Sequence, residues 1–118
     1  MPPRSRADHD SAAILQGTLD MLVLRALQLG PLHGWGITER IEHWSQDVLR
    51  PGQGSLYPAL YRLERQGLVA SAWDTTEHNR RARYYRLTPA GRSHLQREIQ
   101  SWQRLSRAVN LVLKAAAD

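Results

Sequence analysis

At 118 residues the chain has room for one domain with a modest core. Hydrophobic residues make up 42% and charged residues 23%, a globular mixture that excludes a wholly disordered chain, and the lack of cysteine excludes a disulfide framework, a thiolate metal site and a Cys nucleophile. The net charge is +5, the pI is about 10.4, and Lys114 is the sole lysine among 16 basic residues. Arginine suits bidentate phosphate and guanine contacts, although a GC-rich genome enriches it as well.

Residues 1–12 are polar, carry Pro2 and Pro3 and lack periodicity, which predicts a flexible N-terminal arm. From about Leu15 to Leu29, Leu19, Leu22, Val23, Ala26 and Leu27 fall at helical spacing and predict a first helix. Met21 and Leu24 lie on its other side, so two faces are apolar, and a subunit contact is the expected cover for the second. Gly30-Pro31 stops this helix, and a short second helix follows over Gly34 to His43. After Pro51-Gly-Gln-Gly54, Ser55 is placed to cap a third helix. Pro58 then falls in its first turn, Leu56, Leu60 and Leu63 form the core stripe, and Gly67 ends it.

Beyond Gly67 the period changes. Leu68 to Trp73 is β-prone, Asp74 to Asn79 is polar, and Arg83 to Leu87 alternates, which predicts a hairpin with a long tip and Tyr85 and Leu87 inward. Thr88-Pro89 supplies an N-cap followed by proline at the first helical position, opening a helix that runs to about Lys114. Leu95, Ile99, Trp102, Val109 and Leu113 recur along it in a pattern closer to a coiled-coil seam than to a one-sided core face. Together with Met21 and Leu24 they are the candidate dimer interface.

Three short helices and then a hairpin is the order of a winged helix-turn-helix, in which the third helix enters the major groove and the hairpin touches the flanking DNA. The predicted architecture is therefore mostly α with a small β-hairpin: a DNA-binding domain over 13–88 and a long dimerisation helix over 89–118. With the leucine stripe inward, the third helix presents Tyr57, Tyr61, Arg62 and Arg65 outward, with Gln53 and Ser55 at its start. Arg62 and Arg65 can reach phosphates or guanine edges, Gln53 can pair with adenine, and the helix start can hold a phosphate. Between His78 and Arg97 lie Arg80, Arg81, Arg83, Arg86, Arg92 and Arg97 with no carboxylate, and Arg80 and Arg81 are the candidate wing contacts.

The order Gly17-Thr-Leu-Asp20, Gly30-Pro-Leu-His-Gly-Trp-Gly-Ile37, Gly54-Ser-Leu-Tyr-Pro-Ala-Leu-Tyr-Arg-Leu-Glu64, Gly67-Leu68 and Arg83-Tyr-Tyr-Arg-Leu-Thr-Pro-Ala-Gly-Arg92 resembles the PadR family of bacterial regulators. The resemblance covers residues 14 to about 113, with Trp35 where the family usually has Tyr, and the short C-terminal region is similar to the compact subgroup. It implies a repressor that dimerises through its first and last helices and binds an inverted repeat near its own or a neighbouring promoter. It also implies that Trp102, where multidrug-sensing relatives carry an aromatic pocket between subunits, is an effector-site candidate for a small aromatic molecule. The competing role for Trp102 is packing against its symmetry mate.

Other chemistries find little support. The five histidines show no i, i+4 pair, the Gly52-Gln-Gly54 loop lacks the lysine of a phosphate-binding loop, and Asp47, Glu64 and Asp74 show no acid-base pairing. No enzyme, metal or cofactor is expected. No apolar run approaches the roughly 20 residues of a membrane span, and no signal peptide is seen, so a cytoplasmic location is expected. The alternative from another class is a dimeric winged-helix protein-interaction or ligand-binding module without specific DNA binding, which should expose apolar groups on the third helix.

Overall fold

The computed structural model describes residues 15–117. The expected arm, residues 1–12, lies outside them. Helix α1 (Gln16–Ala26) continues as one 3₁₀ turn, Leu27–Leu29, and Gly30 ends it at φ 145°, a left-handed value that glycine tolerates. The short strand β1 (Leu32–His33) follows, then α2 (Gly34–Trp44), α3 (Gln53–Arg65), β2 (Val69–Thr75), β3 (Arg81–Leu87) and α4 (Pro89–Lys114). The strands form one antiparallel sheet in the order β1-β3-β2. Strand β1 was not anticipated. Two residues are too few for a period, and Leu32 and His33 become strand only by pairing with Tyr85 and Tyr84 of the distant wing.

Helix α1 is the axis of the core. Leu19, Val23, Ala26 and Leu27 are buried as expected, but Met21 and Leu24 are buried too, at 8% and 0% exposure. A helix with two apolar faces needs cover on both, and here α2, α3 and α4 of the same chain supply it. The proposed subunit contact through Leu24 is thus corrected, because that side chain is already spent in the core. Leu95 of α4 is likewise fully enclosed. The first turns of α4 belong to the same core as α1, and only the stretch from about Trp102 onward leaves it.

That attachment is built at Thr88. Its side chain accepts from the Gly91 amide at 3.0 Å and donates to the Gly67 carbonyl at 2.7 Å, tying the start of α4 to the end of α3, with Pro89 at the first helical position as expected. Gly91 faces the Leu68 carbonyl so closely that a Cβ there would collide with backbone.

Helix α3 begins three residues before the expected start. Gly52 occupies the N-cap position with no side-chain cap, so Ser55 lies within the first turn instead of capping it. Pro58 consequently falls in the second turn, where its missing N–H removes one bond of the helical ladder. The core stripe of Leu56, Leu60 and Leu63 is buried as predicted, joined by Ala59. The turn from α2 into α3 is tight: Gln46 and Asp47 both adopt positive φ (53° and 66°), and the Ser45 hydroxyl accepts from the Leu49 amide at 3.0 Å.

Candidate nucleic-acid interface

The outer surface of α3 follows from its inner one. With four apolar side chains inward, Gln53, Ser55, Tyr57, Tyr61 and Arg65 are exposed on the far side. Arg65 lies over the Tyr61 ring at 5.7 Å, which restrains a long side chain while leaving its guanidinium toward solvent. Arg62 differs. Its Nη2 meets Asp20 Oδ1 of α1 at 2.9 Å, both side chains are largely covered, and its Nε is buried without a hydrogen-bond partner among the described residues. Arg62 thus serves to lock α3 onto α1, and the expectation that it reaches DNA freely is corrected by this pairing. Tyr57 leans back over α2, with its hydroxyl occupying the space a Cβ on Gly34 would need.

The wing is closed by Thr76, whose amide donates to the Arg80 carbonyl at 2.7 Å and whose hydroxyl accepts from the amides of His78 and Arg80. Asn79 takes the left-handed conformation the turn requires, at φ 59°. The tip is shorter than predicted because β2 extends through Thr75. Tyr85 and Leu87 point inward as expected, while Arg80 and Arg81 are exposed, and Arg81 lies over the Trp73 ring at 5.1 Å. Arg83 is otherwise engaged. It donates to Ser71 Oγ at 2.8 Å and approaches Glu64 at 3.5 Å, and Ser71 donates to Glu64 at 2.6 Å, which fastens the wing to α3.

Arg65, Arg80 and Arg81 are therefore cations with no carboxylate within ion-pair distance among the described residues. Asp74 and Glu77 also stand near the tip, so the wing is less uniformly basic than its arginine run suggests. Between the wing and the starts of α2 and α3 lies a cleft of about 960 Å³ lined by Trp35, Tyr57, Trp73, Arg80 and Arg81 among others. Trp35 and Trp73 were missed in the sequence, although aromatic residues beside a basic hairpin are the composition in which to look for them. His33 caps α2 by accepting from the Gly36 amide at 3.0 Å and packs edge-on against Tyr84 at 5.3 Å.

The dimer and effector candidates sit elsewhere. Ile99 is partly buried against the core, while Trp102, Val109 and Leu113 are exposed, as are Leu105 and Val112, which the sequence pattern did not single out. Trp102 borders a shallow recess of about 160 Å³ with Thr18, Met21 and Ser101. Among the described residues there is no group of three His, Asp or Glu placed to hold a metal, and no helix is long and apolar enough to cross a membrane.

Residues 23–97 match the transcriptional regulator PadR-like family. The chain is 37% identical over 78 residues to the transcriptional regulator Rv3488 of Mycobacterium tuberculosis, covering 66% of this chain and 69% of that one. It is 51% identical over 86 residues, 73% of its length, to an uncharacterized 37.1 kDa protein in a Streptomyces fradiae transposon, but spans 23% of that protein. Among solved structures, a PadR family regulator from Eggerthella lenta is similar at TM-score 0.71 and 33% identity, with 86% of each chain covered. A transcriptional regulator from Clostridium thermocellum is similar at TM-score 0.76 and 27% identity, covering 84% of this chain and 96% of that one. With a winged helix-turn-helix whose third helix and wing carry exposed arginines, and a family match over most of its length, this chain belongs to the PadR-like family of DNA-binding transcriptional regulators.

Proposed function

We propose that the protein is a sequence-specific repressor that acts as a homodimer on an inverted-repeat operator, occluding the promoter. The observation that carries this reading is the division of labour among the arginines: Arg62 and Arg83 are consumed in holding α3 and the wing in place, while Arg65, Arg80 and Arg81 remain available to an external polyanion. In a two-fold dimer the α3 helices would enter successive major grooves about one helical turn apart, with Gln53, Ser55, Tyr57, Tyr61 and Arg65 over base edges and phosphates. The exposed apolar side chains of α4 from Trp102 to Leu113 support a helix that finds its partner on a second copy.

The recess beside Trp102 supports a ligand-responsive form of this activity, with a small aromatic effector seated between subunits. Trp102→Ala then abolishes effector release and leaves operator binding intact. Unchanged induction refutes the pocket, and dissociation of the dimer assigns Trp102 to packing.

Fluorescence anisotropy on DNA from upstream of its own gene, against scrambled DNA across a salt series, tests the main reading. Tight upstream binding that survives at physiological salt is the expected result. Equal binding to both DNAs, lost together as salt rises, argues against sequence-specific regulation through that DNA. Absence of binding even at low salt points to a protein-interaction module.

A further inference from the structure

We propose that the cleft between the wing and the starts of α2 and α3 is a channel for the sugar-phosphate strand that separates the two DNA grooves, with Trp35 and Trp73 as its walls. The inference rests on the DNA-binding reading above and assigns contact residues that the third helix and the arginine run do not include.

Its case begins with the sheet register. Trp73 stands opposite Arg83, Thr75 opposite Arg81, and Ser71 opposite Tyr85, so Trp73 and Arg81 share one face of the hairpin, and that face looks into the cleft. Trp35 enters from the first turn of α2. The two indoles are 62% and 56% exposed, large aromatic surfaces presented by a helix start and a strand. Not one of the residues lining the cleft is Asp or Glu.

A DNA strand carries an apolar sugar face beside an anionic phosphate, and the cleft lining likewise sets an indole beside a guanidinium, with Arg81 5.1 Å over the Trp73 ring. A helix in the major groove and a wing in the minor groove must straddle one strand, and this cleft lies between those two elements. Arg81, stacked on Trp73, supplies the phosphate contact, and Trp73 itself supplies apolar contact that involves no counterion release. The two contributions therefore separate by their salt dependence.

The test measures operator affinity of Trp35→Ala, Trp73→Ala and Arg81→Ala in the full chain over a salt series, with circular dichroism to check folding. Both tryptophans are exposed, so native spectra are expected. Each tryptophan variant should bind about tenfold more weakly at every salt concentration, with the salt slope unchanged. Arg81→Ala should reduce the slope by about one phosphate contact. Trp73→Phe should recover most of the affinity lost in Trp73→Ala.

Wild-type affinity in both tryptophan variants, with the wild type binding its operator, overturns the channel and leaves the regulator intact. A slope that falls in Trp73→Ala as it does in Arg81→Ala reduces Trp73 to a support for Arg81 and overturns its role as a wall. A wild type that binds no DNA removes the underlying reading, and the channel with it.

Discussion

Arginine is nearly the only cation in this chain, yet its residues do different work according to what each one meets. Arg62 faces Asp20 across the α1–α3 contact, whereas Arg65, one turn of helix further round, faces solvent beside Tyr61. Arg65→Ala should weaken operator binding by about 1–3 kcal/mol with little change in the unfolding midpoint, since the only contact given up is an exposed one with the Tyr61 ring. Asp20→Asn should do the reverse, lowering stability by about 1–2 kcal/mol by removing the counter-charge of a largely covered guanidinium. Denaturant titration beside anisotropy on both variants separates the two roles, and equal effects on both quantities would contradict the division. Tyr85 adds a pH dependence. Burial raises its hydroxyl above the ordinary value of 10.0, against the lowering pull of Arg83. Folded and unfolded chains both keep this proton below pH 10, so stability is unaffected there. Above it the unfolded chain ionises first, and stability falls until the folded hydroxyl titrates too. Tyr85→Phe should flatten this alkaline limb in melts between neutral pH and strongly alkaline buffer.

At the level of elements, the junctions decide where the interface points. The Thr88 side chain and the Gly91 close approach fix α4 against the end of α3, and the Ser71, Glu64 and Arg83 cluster fixes the wing against the same helix. Gly91→Ala should cost about 1–3 kcal/mol, because the added methyl meets the Leu68 carbonyl, a backbone group that cannot rotate aside. A fall in the urea midpoint at constant m-value is the expected signature, and an unchanged midpoint would show that α4 shifts freely at its base. Gly34 presents the contrasting case, since the atom nearest an added Cβ is the end of the Tyr57 side chain, which can swing away.

For the whole molecule, the consequential feature is that α4 outruns the domain. Its first turns put Gly91 and Leu95 into the core and its last four carry exposed apolar side chains at Trp102, Leu105, Val109 and Val112, spaced three, four and three apart. Such a row is the pattern of a helix-helix seam. In the proposed homodimer, Leu105→Glu should convert a particle of twice 13.5 kDa to one of 13.5 kDa in light scattering, with helix content retained. Operator affinity should drop roughly 100-fold or more, because the second half-site no longer benefits from linkage to the first. A variant that remains dimeric would move the interface away from this face.

Much of the architecture was present in the order of residues. Periodicity and punctuation at Gly30-Pro31, Gly67 and Thr88-Pro89 marked out all four helices and the hairpin, because these signals are local: a proline ring, a positive φ or a leucine stripe acts on its own neighbourhood. The outward side of α3 and the exposed arginines of the wing followed from the same arithmetic. What tertiary structure alone decided was partnership. Leu24 and Met21 looked spare until three helices closed over α1, Arg62 looked free until Asp20 arrived from 42 residues earlier, and Leu32-His33 became a strand only beside Tyr84 and Tyr85. The N-cap of α3 slipped from Ser55 to Gly52 for a related reason, since a glycine can stand at an N-cap without offering the side-chain signal that sequence inspection looks for. A residue's type sets which contacts it is able to make, and the chain's return to the same place in space sets which of them it does make.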